Sequence, residues 1–301
     1  HISLLYKLNR VKDAKKCVDL ILSEDSESME LFVLAHAISR SYFWNDLAEN
    51  IQRRMELKWR RNSKLYLLLA QNSLDSGNLT DCYVNLKKIK RSQRKNEDYV
   101  KLESRFNDIL KMVEFGVKEI KKAAKIKQII SIEECAVRKI FMLAEKITKY
   151  APRKTNQKLV MASSTLGRGG AERQLLTCMR QIEKSKKFTK VFLLFREKGS
   201  EDLDSTYLPE ISKLDVELHE YKNDALWANT FGQNAVPEEF GQILSLLPKA
   251  MQNSIEKHYL AIHKIKPDIV HAWQDQTNIE VAIASKMAGV PGVVLFARSL
   301  R

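Results

Sequence analysis

The spacing of apolar positions divides this chain into two stretches of different rhythm. From the start to about residue 150, apolar residues recur every three or four positions almost without interruption. No proline occurs before Pro152, and glycines are few. A stripe at that spacing can be buried only by a helical backbone, so residues 1–150 are expected to be all α. After residue 158 the rhythm changes to short apolar runs: Leu159 to Ser164, Lys190 to Phe195, Val216 to Tyr221, Asp268 to Trp273 and Val293 to Ala297. Runs of that length predict strands, buried where they are apolar on both faces, with the third, Val216 to Tyr221, more polar than the rest. Helical spacing returns between them after Ala171, from about Gly241 to Ile265, and from Thr277 to Ala288, where Gly289 closes the helix and Lys266-Pro267 breaks the one before. The stretch from Asn223 to Gly241 shows no period and is expected to be irregular.

Alternating strands and helices predict a parallel sheet wound in the Rossmann manner, with ligands at the C-terminal ends of its strands. The helical half carries an internal repeat. Leu31, Leu34, Ala35, Ile38, Trp44, Leu47 and Ile51 align, at an offset of 35, with Tyr66, Leu69, Ala70, Ser73, Leu79, Cys82 and Leu86. Gly77-Asn78 marks the turn of the second copy and Tyr42-Phe43 that of the first. Ala14, Val18 and Ile21 form a preceding half copy. A helix-turn-helix period of 33 to 35 resembles tetratricopeptide repeats, with Leu69, Ala70, Gly77 and Cys82 at that family's Leu, small, Gly and small positions. An α-solenoid of this kind implies a docking surface for a protein partner, or a cap over the neighbouring domain. Residues 151–157 are polar and contain Pro152, and are read as a linker between a helical domain at 1–150 and a Rossmann-like domain at 158–301.

Candidate chemistry concentrates where the first strand meets its helix. Gly167, Gly169 and Gly170 allow positive φ and close approach to the backbone, and they stand where a helix presents unpaired N–H groups and the positive end of its dipole. Arg168 and Arg173 flank them. This is an anion site, or else a structural strand-to-helix turn. The dinucleotide fingerprint fails because Glu172 stands where a third glycine is required, and no Gly-Lys-Ser/Thr ending is present for a phosphate loop.

Gly169-Gly170-Ala171-Glu172-Arg173-Gln174-Leu175-Leu176 resembles the glycine loop and helix start of family 4 glycosyltransferases, which have a two-domain GT-B fold. Lys266-Pro267-Asp268-Ile269-Val270-His271-Ala272-Trp273, followed by Ala288-Gly289-Val290-Pro291 and Ala297-Arg298-Ser299, is similar to a later block of the same family. The resemblance implies a retaining transfer of sugar from a nucleotide-sugar donor to a glycan or lipid-linked acceptor, with no metal. Gly167, Arg168, Gly169, Gly170, Glu172 and Arg173 would face the donor diphosphate and acceptor. His271, at the end of the fourth strand, would be a catalytic-site residue that binds a sugar hydroxyl, or else packs beneath the loop; Arg298 would be the other, near the position of a catalytic-site histidine that this chain lacks, and would pair with phosphate or an acidic acceptor. Trp273, Gln274 and Asp275 either hold an acceptor sugar or pack as ordinary loop. The family binds its donor through a second Rossmann domain carrying two glutamates eight positions apart, and these 301 residues contain no such pair. The expectation is therefore the acceptor-side portion of a longer enzyme, without turnover by itself, placed in the cytoplasm or at the inner face of its membrane. The other reading is a non-catalytic scaffold that docks a partner on its helical repeats.

Charge narrows the partners. Of the net +14, residues 1–150 carry +10, with 30 Lys+Arg against 20 Asp+Glu. Lys118, Lys121, Lys122, Lys125 and Lys127 cluster beside an apolar stripe, which suits either a peripheral contact with an anionic membrane or a solvated helix face. Basic charge is the only argument for nucleic acid, since no recognition motif or aromatic interleaving accompanies it. Cys17, Cys82, Cys135 and Cys178 are scattered without metal-ligand spacing and read as reduced thiols.

Overall fold

The computed structural model describes residues 11–23, 28–42, 44–147, 157–197, 206–232 and 236–296. The linker expected at 151–157 lies outside these apart from Gln157, as do Phe43 and Arg298. The chain divides into two compact units, His1–Cys135 and Ala136–Arg301.

Among its described residues the first unit is α-helical, as the rhythm requires: α1 (Val11–Ser23), α2 (Met29–Ser41), α3 (Asn45–Lys58), α4 (Ser63–Asp75), α5 (Leu79–Lys88), a 3₁₀ turn (Arg91–Gln93), α6 (Glu97–Met112) and α7 (Val117–Lys125). Side-chain caps start several of them. Ser28, Asn62, Asn78 and Asn96 each accept a backbone N–H of the first turn, pairing donors the helix itself leaves open. The α2–α3 pair recurs as α4–α5 with both helix starts displaced by 34 residues, and α1 stands 34 before α3. The period is thus one residue shorter than the aligned side chains suggested. Ala48, Ile51 and Met55 of α3 match Cys82, Asn85 and Ile89, all buried, whereas Leu31, counted among the inward positions, is 37% exposed. At Gly77 the backbone turns with φ +79, where a residue with a Cβ is strained.

The second unit opens within α8 (Ile132–Ile147) and continues through β1 (Lys158–Ser163), α9 (Gly170–Ser185), β2 (Lys190–Phe195), α10 (Leu208–Ile211), β3 (Glu217–Glu220), α11 (Asp224–Phe231), α12 (Glu238–Leu244), α13 (Lys249–Ile265), β4 (Ile269–Trp273), α14 (Asp275–Met287) and β5 (Gly292–Phe296). The division at Cys135 and Ala136 falls ahead of the boundary expected at 150, because Ala136, Ile140 and Ala144 of α8 belong to the sheet unit's core. The strands form one parallel sheet in the order β3-β2-β1-β4-β5. Leu159, Met161, Leu193 and Phe195 point to one face, against Leu175, Leu176 and Met179 of α9 and Ile211 of α10. Val160, Ala162, Phe192, Leu194, Val270 and Ala272 point to the other, into a core with α8, α11, α12, α13 and α14. Strand order therefore reverses direction between β1 and β4, the switch point of a doubly wound sheet.

The stretch expected to be irregular holds two helices. Asn223 Oδ1 caps α11 at Leu226 N, and Trp227 and Phe231, four apart, turn inward from it. The long helix expected from Gly241 is divided into α12 and α13, because Pro248 stands at the second N-cap and cannot continue the first. Lys266 ends α13 at φ +53, and Asp268 then accepts Lys158 N at 2.8 Å, fixing the entry of β1 beside β4.

Ile140→Ala, a fully buried position, is expected to lower the unfolding free energy by about 2–5 kcal/mol, while Leu57→Ala, at a side chain 80% exposed, stays within about 0.5 kcal/mol. Urea unfolding of both variants followed by circular dichroism measures the difference.

Candidate functional site

The C-terminal ends of β1, β2, β3 and β4 open into a cleft of about 430 Å³, inside the range of small-molecule sites. Ser164 and Thr165 line it after β1, Arg196 after β2, Tyr221 and Lys222 after β3, and Gln274 after β4. Asn253, Ser254 and Lys257 of α13 and Gln276, Thr277 and Glu280 of α14 supply the opposite wall.

One hydrogen-bonded cluster joins the two strands at the switch point. Glu172, in the first turn of α9, is 8% exposed, and its Oε1 accepts from Thr165 Oγ1 and from Gln274 Nε2, both at 2.6 Å. Gln274 Oε1 in turn accepts Ser164 N at 2.9 Å and the Ser164 hydroxyl. Gln274 holds φ +76 and ψ 145, a region costly for any residue with a Cβ. Hydrogen bonds to a buried carboxylate are strong enough to hold it there.

The same carboxylate explains Gly169. Its φ is −137, so positive φ is not the reason for glycine, and neither Gly167 nor Gly170 lies in the left-handed region. A Cβ on Gly169 would instead overlap the Glu172 carboxyl group, with Cδ at 2.9 Å. Close approach is the correct reading, but what approaches is the protein's own acid. Glu172 is therefore placed to hold the loop rather than to bind phosphate, since a buried carboxylate repels one. Gly170, Arg168 and Arg173 remain exposed around it, and Gly167 is buried.

Two expected positions differ. His271 is the third of the five β4 residues, not its end, and its ring packs toward Trp273 and Phe296, at 4.9 and 6.5 Å between centroids, instead of lining the cleft. Burial holds its imidazole below the usual histidine range. Trp273 is 3% exposed, 4.5 Å from the Phe296 ring, and belongs to the core on the α9 face, so it offers no stacking platform. Asp275 is exposed at the start of α14. Of the expected residues that are described, Gln274 alone lines the cleft.

The deeper residues carried no motif. Ser254 Oγ donates to Glu280 Oε2 at 2.5 Å, Gln276 Nε2 donates to Glu280 Oε1 at 2.8 Å, and the Tyr221 hydroxyl shares a hydrogen bond with Ser254. Burial, and after it the Glu280 charge, raises the Tyr221 phenol above its ordinary range. Lys257 Nζ donates to Tyr221 O at 2.8 Å and to Asp224 Oδ1. Behind them His258 is fully buried, its Nδ1–H donating to Ser254 O at 2.8 Å, and burial brings its pKa down to about 4. The only advance signal for Glu280 and Ser254 is a polar side chain on the apolar face of a helix, a signal visible once the faces are known.

No protein-family profile matches the chain. Over 156 residues, 48% of this chain and 26% of the other, it is 28% identical to the Vi polysaccharide biosynthesis protein VipC/TviE of Salmonella typhi. The chain thus spans about a quarter of that relative's length. Among solved structures it aligns with the K341M mutant of Thermobaculum terrenum O-GlcNAc transferase at 12% identity and a TM-score of 0.35, covering 98% of this chain and 49% of that one.

Gly169→Ala is expected to cost about 1–3 kcal/mol by overpacking, and much less in a Glu172→Ala background. A double-mutant cycle in urea measures that coupling. A second expectation concerns pH. His258 is depressed from 6.5 to about 4, so its contribution is fully present above pH 6.5 and is lost as pH falls toward 4, by up to about 3 kcal/mol. Urea midpoints across that window should fall, and fall less steeply in His258→Gln.

Proposed function

We propose that this chain is the acceptor-side portion of a nucleotide-sugar-dependent glycosyltransferase in polysaccharide assembly. The observation that carries the reading is the strained Gln274 at the switch point, locked through Glu172 to the loop after β1 and lining a polar cleft. Strain of that kind persists where the surroundings impose it, and it collects at functional sites. The Gly-Gly-Ala-Glu-Arg motif and the polysaccharide-biosynthesis relative support the same reading.

In the reaction the anomeric C1–O bond to the departing nucleoside diphosphate breaks and a C1–O bond to an acceptor hydroxyl forms. The hydroxyl proton leaves with the diphosphate or to water. Negative charge develops on the leaving group. Arg168, Arg173 and the exposed amide of Gly170 are the groups of this chain that would meet it, without a metal ion. Because Glu172 already occupies the inner side of the helix start, the diphosphate approaches from the outer, Arg168 side. Retention at C1 and a donor-binding second domain belong to this proposal, as does a glycan or lipid-linked acceptor in the cleft.

Radiolabelled transfer from a panel of nucleotide sugars, run with the full-length protein and with these 301 residues alone, tests the reading. Turnover is expected from the former only. In the full-length protein Gly170→Asp, at an exposed first helical position, should reduce transfer by about 10²–10³ while melting stays near wild type. Unchanged turnover in that variant removes the phosphate role of the loop.

A further inference from the structure

We propose that Glu280 and its neighbours on the cleft floor form a subsite for the hydroxyl groups of a neutral sugar ring. Glu280 is 3% exposed and lines the cleft, and among the described residues no lysine, arginine or histidine forms an ion pair with it. Ser254 Oγ and Gln276 Nε2 donate to it and leave acceptor capacity unused, since a carboxylate offers about four lone-pair sites. A buried carboxylate without a counter-charge is costly and is retained where it has work to do.

The surrounding chemistry selects the ligand. Asn253 presents both donor and acceptor, Gln276 keeps its amide oxygen beyond the bond its Nε2 makes to Glu280, and Ser254 and Tyr221 present hydroxyls, a lining that matches neighbouring hydroxyl groups that themselves donate and accept. An anion is disfavoured at this depth, because Glu280 repels it, Lys257 is already engaged by Asp224 and Tyr221 O, and Arg196 and Lys222, nearer the cleft mouth, are paired with Glu197. A metal ion is disfavoured too, since among the described residues no cluster of three His, Cys, Asp or Glu could hold one. A ring hydroxyl donating to the free lone pairs of Glu280, with the next one on the Asn253 amide, satisfies the floor.

This inference rests on the reading above for the role of the cleft, yet it is tested by binding alone. The ¹⁵N-labelled 301-residue chain is titrated with the methyl glycosides of glucose, galactose and N-acetylglucosamine, and separately with pyrophosphate. At least one glycoside should give saturable shifts centred on Ser254, Gln276 and the Asn253 side-chain amide. Glu280→Gln should weaken that binding by about tenfold or more, with a native near-ultraviolet spectrum. Asn253→Ala, at an exposed position on the wall, should weaken it several-fold without touching the buried network, and decides the matter if Glu280→Gln fails to fold. No saturable shift from any glycoside, shifts at the floor from pyrophosphate instead, or unchanged affinity in a folded Glu280→Gln overturns the proposal. Glycoside binding that needs Glu280 in a full-length protein without transferase activity keeps this inference and removes the enzyme reading. Transfer indifferent to Glu280 does the reverse.

Discussion

One buried carboxylate holds the site together. Glu172 lies in the first turn of α9, accepts from Thr165 on the loop behind it, and accepts from Gln274 at the start of α14. Gln274 passes the constraint on to Ser164. Two stretches 102 residues apart in sequence are thereby fixed to a single acid, at the one place where neighbouring strands send their helices to opposite faces. A charged acceptor in a low-dielectric setting makes these bonds stronger than neutral ones, and leaving any of the donors unmatched would cost as much again. The unfavourable backbone of Gln274 and the absence of a Cβ at Gly169 are both consequences of that arrangement.

The winding of the sheet then decides where a ligand can go. With α9 and α10 on one face and α13 and α14 on the other, the helices diverge between β1 and β4 and leave the strand ends uncovered. The cleft that results is asymmetric. The ends of β2 and β3 bring Arg196 and Lys222 to it, while its floor, built from α13 and α14, carries Glu280, Ser254 and amides. Such a division suits a ligand with a charged part and a neutral polyhydroxyl part.

Residues of a single motif serve different ends. In the Lys-Pro-Asp block, Lys266 and Pro267 stop α13, and Asp268 accepts Lys158 N at the N-terminal ends of β1 and β4, the opposite end of the strands from the cleft. Trp273 fills the core on the α9 face, and the half-buried His271 packs its ring against it. None of these lines the cleft; Gln274, the residue after the block, does. The motif thus records architecture more than chemistry, which follows from its position: a strand running through the sheet has one end to offer a ligand and the rest to bury.

Periodicity in the sequence determined much of this protein. Helical spacing settled the all-α half, short apolar runs settled all five strands to within a residue or two, and the glycine loop marked the strand-helix junction nearest the site. These are local signals, each arising from burial of one face by residues close in the chain. The division of the helix at Pro248 and the capping of α11 by Asn223 are local as well, but weak beside the stretch's lack of period. What the tertiary structure alone decided is which polar groups meet. Glu172 is expected from its motif to face a diphosphate, and Glu280 belongs to no motif. Their burial and partners depend on contacts across 102 and 26 residues, and no spacing rule reaches that far. Hydrophobic burial is non-directional and shows in pattern, whereas a hydrogen bond needs two atoms in register, and register across the sheet exists only once the chain has folded.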